Sequence, residues 1–165
     1  MISLKTLDVK SFMAKLLTEA LLDEFVLKEM EIQTFTCFSV SGQLNEGFFS
    51  QEELEKRKTK GAILWSEIKG IAYSIIKGNK TPLSMKIVFQ LPEEQKREMV
   101  ESLGGNLRSE DVGGLFLNIR FEKNELHIIT GTAIKTFTFD KTLEREWDAW
   151  VKNFLKKQGF VFEEE

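Results

Sequence analysis

Residues 115–128 read LFLNIRFEKNELHI, and this short run decides the fold class. Leu115, Leu117, Ile119 and Phe121 alternate with Phe116, Asn118, Arg120 and Glu122. Lys123-Asn124 then turns the chain, and Leu126 and Ile128 resume the apolar parity. A period of two on both sides of a turn describes a β-hairpin with one face buried. Thr130-Gly131 reads as a second turn, and residues 132–139 as a third strand. Leu143, Trp147, Trp150, Val151, Phe154 and Leu155 then fall on one stripe at helical spacing, closed by Gly159. Strands followed by an amphipathic helix, all joined by short connections, imply an antiparallel α+β domain.

Working outward, Leu83 to Leu91 form a strand rich in Ile, Val, Phe and Met. Pro92 takes a first helical position, with Glu93 and Glu94 at the positive end of the helix dipole. Gly104-Gly105 ends that helix, and residues 105–114 read as a polar, glycine-bearing loop. Near the N-terminus, residues 2–6 alternate as a short strand, and Asp8 is placed to cap a helix striped by Val9, Phe12, Met13, Leu16, Leu17, Ala20 and Leu21. Residues 26–41 carry Met30, Ile32, Phe38 and Val40 on one parity, as one long strand or two strands with a bulge, and Ser41-Gly42 reads as a turn. Phe48 and Phe49 suggest a further short strand, and residues 50–60 a short exposed helix or loop. Trp65, Ile68, Ala72, Ile75 and Ile76 mark another helix, with Gly78 at its C-terminal cap.

Both halves therefore read strand, helix, strand, strand, strand, helix. Trp65, Ile68 and Ala72 correspond to Trp147, Trp150 and Phe154, and Phe48 to Phe137. The expectation is one domain over residues 1–165 with an internal pseudo-repeat, about 1–80 and 81–162. This element order resembles the TATA-binding-protein-like fold, which implies a curved antiparallel sheet with helices on one face, built from duplicated β-α-β-β-β-α units. The basic saddle and paired wedge phenylalanines of its DNA-binding members have no clear counterparts, and fold does not carry function. A sliding-clamp-like half-repeat is the alternative architecture. The start Ile2-Ser3-Leu4-Lys5 with Asp8-Val9-Lys10-Ser11-Phe12-Met13, and Ile76-Lys77-Gly78 followed by Lys80-Thr81-Pro82-Leu83 and Lys86-Ile87-Val88-Phe89, are similar to a clostridial (Firmicutes) family described only as a domain of unknown function. That resemblance implies a bacterial cytoplasmic protein and no particular activity.

The chain has 165 residues, of which 42% are hydrophobic and 30% charged, enough to bury a core without a disulfide or metal. No apolar run approaches the ~20 residues of a membrane-crossing helix. Residues 1–10 lack the apolar stretch of a secretory signal, and the single cysteine, Cys37, suits a reducing cytoplasm.

Chemistry-bearing constellations are sparse. His127 is the single histidine and sits in a strand pattern without a visible partner for general-base work. Cys37 reads as a small buried hydrophobe, although a spatial pairing with His127 is left open. Cys/His clustering, a Walker-type phosphate loop and a dinucleotide fingerprint are all missing, so no catalytic residue, metal ligand or cofactor is expected.

Charge is unevenly placed. Residues 19–55 hold nine acids against Lys28, and residues 56–86 hold eight bases against Glu67. Lys56, Arg57, Lys58, Lys60, Lys77 and Lys80 are the candidates for a polyanion site, unless adjacent acids neutralise them. Phe116, Asn118, Arg120 and His127 share the parity opposite the core and are the candidates for an open sheet face. The expected function is a non-enzymatic binding or protein-interaction module, with a protein partner or a second copy on that face and no membrane contact. A nucleic-acid binder using residues 56–86 with the sheet is the alternative, and an enzyme built around His127 a further one.

Overall fold

The strand and helix periods of the sequence become, in chain order, β1 (Ser3–Thr6), α1 (Val9–Thr18), β2 (Val26–Gln33), β3 (Cys37–Ser41), α2 (Gln51–Lys56), β4 (Ile63–Leu64), α3 (Trp65–Ile76), β5 (Ser84–Gln90), α4 (Glu93–Ser102), β6 (Val112–Glu122), β7 (Glu125–Ile134), α5 (Thr142–Lys157) and β8 (Phe162–Glu164). This computed structural model describes residues 1–57, 59, 61–78 and 80–165. The strands form one open antiparallel sheet in the order β3-β2-β5-β6-β7-β1-β8, with β4 also paired to β2.

Alternation sorts the sheet into two faces. Met30, Ile87, Ile119, Ile128 and Leu4 lie side by side across five strands and are all buried. The apolar stripes of α1, α3 and α5 join them in one core. Two fully buried tryptophans fix the helices. The Trp65 indole N–H donates to the Leu16 carbonyl of α1 (3.0 Å), and that of Trp147 to the Phe116 carbonyl of β6 (3.0 Å). An aromatic chain links them: Trp147 stacks on Trp150, Trp150 meets Phe25, Phe25 meets Phe89, and Phe89 meets Trp65.

Local chemistry explains the ends. The Asp8 carboxylate caps α1 by accepting from the Ser11 N–H (3.0 Å). Ser50 and Glu53 form a reciprocal capping box on α2. At the start of α3, Glu67 accepts from the Leu64 N–H (3.0 Å) and takes a two-pronged contact from the Arg57 guanidinium (2.8 and 2.9 Å). Partial burial pushes the Glu67 carboxyl up, but the Arg57 and Leu64 hydrogen bonds outweigh it and hold the group below its ordinary value.

Residues 26–41 take one of their two expected forms, the strands β2 and β3 with a bulge at Lys28. Several other expectations are corrected. Phe48 and Phe49 lie on and just after a 3-10 turn, Glu46–Phe48, and make no strand. Thr130-Gly131 does not turn the chain. β7 runs straight through it because the buried Thr130 hydroxyl accepts from the Ile2 N–H (2.9 Å) and donates to Asp148 (2.5 Å), pinning β1 and α5 to an extended strand. Residues 135–141 are consequently loop, and Phe137 and Phe139 are exposed. Gly113 and Gly114 belong to β6, where the Phe116 ring lies over Gly114 and a Cβ would meet it at 2.6 Å. Cys37 is exposed on β3, an outer strand, and so is no core residue.

A Cβ at Gly42 would stand 1.9 Å from the Leu27 carbonyl oxygen, whereas one at Gly47 would meet nothing within 4 Å. Gly42→Ala is therefore expected to cost about 2 kcal/mol or more in urea unfolding, and Gly47→Ala well under 1 kcal/mol. Equal effects would refute this reading of Gly42. Because the Glu67 carboxyl is depressed when folded, its stabilisation is full above the ordinary value of 4.5 and fades as pH falls through the folded one. The stability gap between the native chain and Glu67→Gln, measured by thermal melting across pH, is expected to shrink on acidification.

Candidate binding face

The second face of the sheet is lined by the polar parity, and four strands carry a basic side chain at the same level. Lys86 of β5 lies opposite Arg120 of β6, Arg120 opposite His127 of β7, and His127 opposite Lys5 of β1. Cross-strand neighbours on one face are about 5 Å apart at Cβ, so the four form one row. Glu31 stands at one end of that row and Glu163 at the other.

Three of the four have a carboxylate partner within the face. Lys86 Nζ pairs with Glu29 (2.8 Å), Lys5 Nζ with Glu125 (3.0 Å), and His127 Nε2 lies 3.0 Å from the Glu165 carboxylate. The Glu125 hydrogen bond holds the Lys5 ammonium above its ordinary value, and Lys5 holds Glu125 below. Arg120, exposed at the centre of the row, makes no ion pair among the described residues.

The adjoining level is apolar with one amide: Val88, Asn118 and Ile129 lie opposite one another on β5, β6 and β7. One step further, Gln90 faces Phe116 and Phe116 faces Gly131. Asn118 donates to the Ile129 carbonyl (3.4 Å) and Gln90 to the Gly113 carbonyl (3.4 Å). Neither amide oxygen accepts a hydrogen bond among the described residues. An unpaired guanidinium, two amide acceptors and an aromatic ring thus line one stretch of open sheet.

Phe116, Asn118, Arg120 and His127 accordingly share one face. Sequence parity brought them together, but it missed Lys86 and Lys5, because only strand order and register put these beside Arg120 and His127. The basic stretch is dispersed. Lys56 pairs with Glu52 (3.1 Å) on α2, and Arg57 is occupied by Glu67. Lys77 is exposed at the end of α3, and Lys80 lines a small groove with Val9, Met13 and Pro82. Lys58 and Lys60 lie outside the described residues.

Cys37 and His127 do not meet. They lie on β3 and β7, four strand steps apart, or about 19 Å at the usual spacing. The His127 ring has Glu165 as its hydrogen-bond partner, and no hydroxyl or thiol reaches it among the described residues. Among those residues no helix is long and apolar enough to cross a membrane.

No curated protein and no solved structure matches the chain. The sequence pattern of one family does match, over residues 15–163, which takes in the sheet from β2 through β8 and every helix except the first turns of α1. The chain belongs to the family of unknown function DUF5721.

Proposed function

We propose that this protein is a non-enzymatic protein-interaction module whose open sheet face receives an acidic segment of a partner protein. The observation that carries this is Arg120: a guanidinium at the centre of a row of basic side chains, without an ion pair among the described residues, beside an apolar level and a half-buried aromatic ring. A guanidinium offers two parallel N–H donors to a carboxylate, a charge-assisted pairing stronger than a neutral hydrogen bond. Val88, Ile129 and Phe116 supply the apolar surface that gives such a contact its affinity.

A short acidic segment fits better than a long polyanion. Glu29, Glu31, Glu122, Glu125, Glu163 and Glu165 surround the basic row on the same face, and the whole chain carries −3. A nucleic-acid strand would lay its phosphates across those acids, whereas a single carboxylate side chain is met by Arg120 alone. The pairing of Lys56 and Arg57 with acids weakens the field of the basic stretch in the same direction.

A backbone-amide NMR titration tests this with two probes, a peptide alternating glutamate with valine and an oligothymidylate. The peptide is expected to shift Val88, Phe116, Asn118, Arg120 and Ile129, and the oligothymidylate to leave them unmoved. Arg120→Ala is expected to weaken peptide binding about tenfold, equivalent to about 1.4 kcal/mol. Shifts from the oligothymidylate centred on residues 56–80, with none from the peptide, would replace this reading with the nucleic-acid one.

A further inference from the structure

The path from β3 to β8 ends in two outer strands, apart from the two-residue β4, and those two are treated differently. β8 carries Glu163 and Glu164, with Glu165 following, and charge on an outer strand blocks pairing with other chains. β3 carries no such protection. From Thr34 to Asn45 the sequence is TFTCFSVSGQLN, a run without a single charge in a chain that is 30% charged. It also holds no proline, and the strand's pairing with β2 is regular from Glu29 to Gln33.

The ladder says which backbone groups of β3 are free. The Gly42 N–H donates to the Lys28 carbonyl, and the Thr34 N–H to the Thr36 carbonyl. Pairing alternates along an antiparallel ladder, so Phe38 and Val40 bond inward to β2. Cys37, Ser39 and Ser41 therefore point their N–H and C=O groups outward, and all three are exposed. Beside this edge, Phe35 is 93% exposed and packs edge-on against Phe38 (5.8 Å).

We propose that β3 is a homodimerisation edge, pairing antiparallel with β3 of a second copy about a two-fold axis at Ser39. The edge is self-complementary. With Ser39 on the axis, Ser39 faces Ser39, Cys37 faces Ser41, and Phe38 faces Val40, so small residues meet on the open face and apolar ones on the core side. The outward groups supply about six ladder hydrogen bonds. A two-fold contact closes on itself, and the acidic β8 edge opposes continued growth, so association stops at two. The axis stands perpendicular to the sheet, so both copies present Arg120 to the same side. The inference rests on the edge alone and stands whether or not the open face binds an acidic segment.

Light scattering on a sizing column tests it with the full chain. The native protein is expected at twice 19.1 kDa. Ser39→Pro removes the central outward donor, no backbone hydrogen bond to β2 and only the exposed Ser39 hydroxyl contact with the Cys37 thiol (3.7 Å), so it is expected at 19.1 kDa with unchanged circular dichroism. Ser39→Glu sets two carboxylates against each other on the axis and is expected to be monomeric also, which covers the case in which the proline variant fails to fold. Ser41→Cys is expected to form a covalent dimer with Cys37 under mild oxidation, while the native chain, its two Cys37 residues about 13 Å apart along the strands, is not. A native chain at 19.1 kDa, a folded Ser39 variant at twice that mass, or a dimer that Ser41→Cys cannot lock would each overturn the proposal.

Discussion

Two indole N–H groups with no access to water set the positions of the helices. Trp65 and Trp147 are entirely buried, and an unpaired buried donor costs about 1–3 kcal/mol. Trp65 meets that demand at the Leu16 carbonyl and Trp147 at the Phe116 carbonyl, so one bond fixes α3 against α1 and the other fixes α5 against the middle of β6. The second bond has a functional side. The carbonyl that holds Trp147 belongs to the residue whose ring lies on the open face over Gly114. The core side therefore anchors the backbone of the candidate binding surface, and the aromatic ring there stands on a strand that cannot shift without breaking a buried contact.

Much of the architecture was legible because it rests on periodicity. The alternation of Leu115 to Phe121, the stripe from Leu143 to Leu155, the Asp8 cap and the left-handed turn at Lys123-Asn124 are local signals, and the structure follows them. The errors arose where a distant contact overrode a local one. Thr130-Gly131 carries turn chemistry, yet Thr130 is claimed by Ile2 and Asp148, and the strand stays extended. Gly113-Gly114 looks like a flexible entry, yet Gly114 is there to make room for Phe116. Cys37 has a core-like composition around it, but its strand is outermost, a fact that lives in strand order and not in the sequence of β3.

The same distinction applies to the candidate face. Parity within β6 suffices to put Phe116, Asn118 and Arg120 together, since every second side chain shares a side. That Lys86 and Lys5 complete the row depends on β5 lying against β6 and β1 against β7, pairings between segments far apart in the chain. The basic stretch illustrates the reverse. Residues adjacent in sequence looked like a positive patch, but Lys56 turns to Glu52 and Arg57 to Glu67, so adjacency of like charges became pairing of opposite ones.

The place of β1 has a consequence for how the chain reaches its fold. β1 lies between β7 and β8, and its neighbour Ile2 donates to Thr130, 128 positions away. Contacts of such separation close late and slow the search, because the intervening loop must be gathered first. During synthesis the first strand emerges before the strands that flank it, and α1 follows with its apolar stripe uncovered. The hairpin β2–β3 has in β5 a docking partner that emerges soon afterwards, whereas β1 waits for nearly the entire chain. The order of assembly thus runs from the middle of the sheet outward, and β1, made before both its partners, is among the last elements to be locked in place.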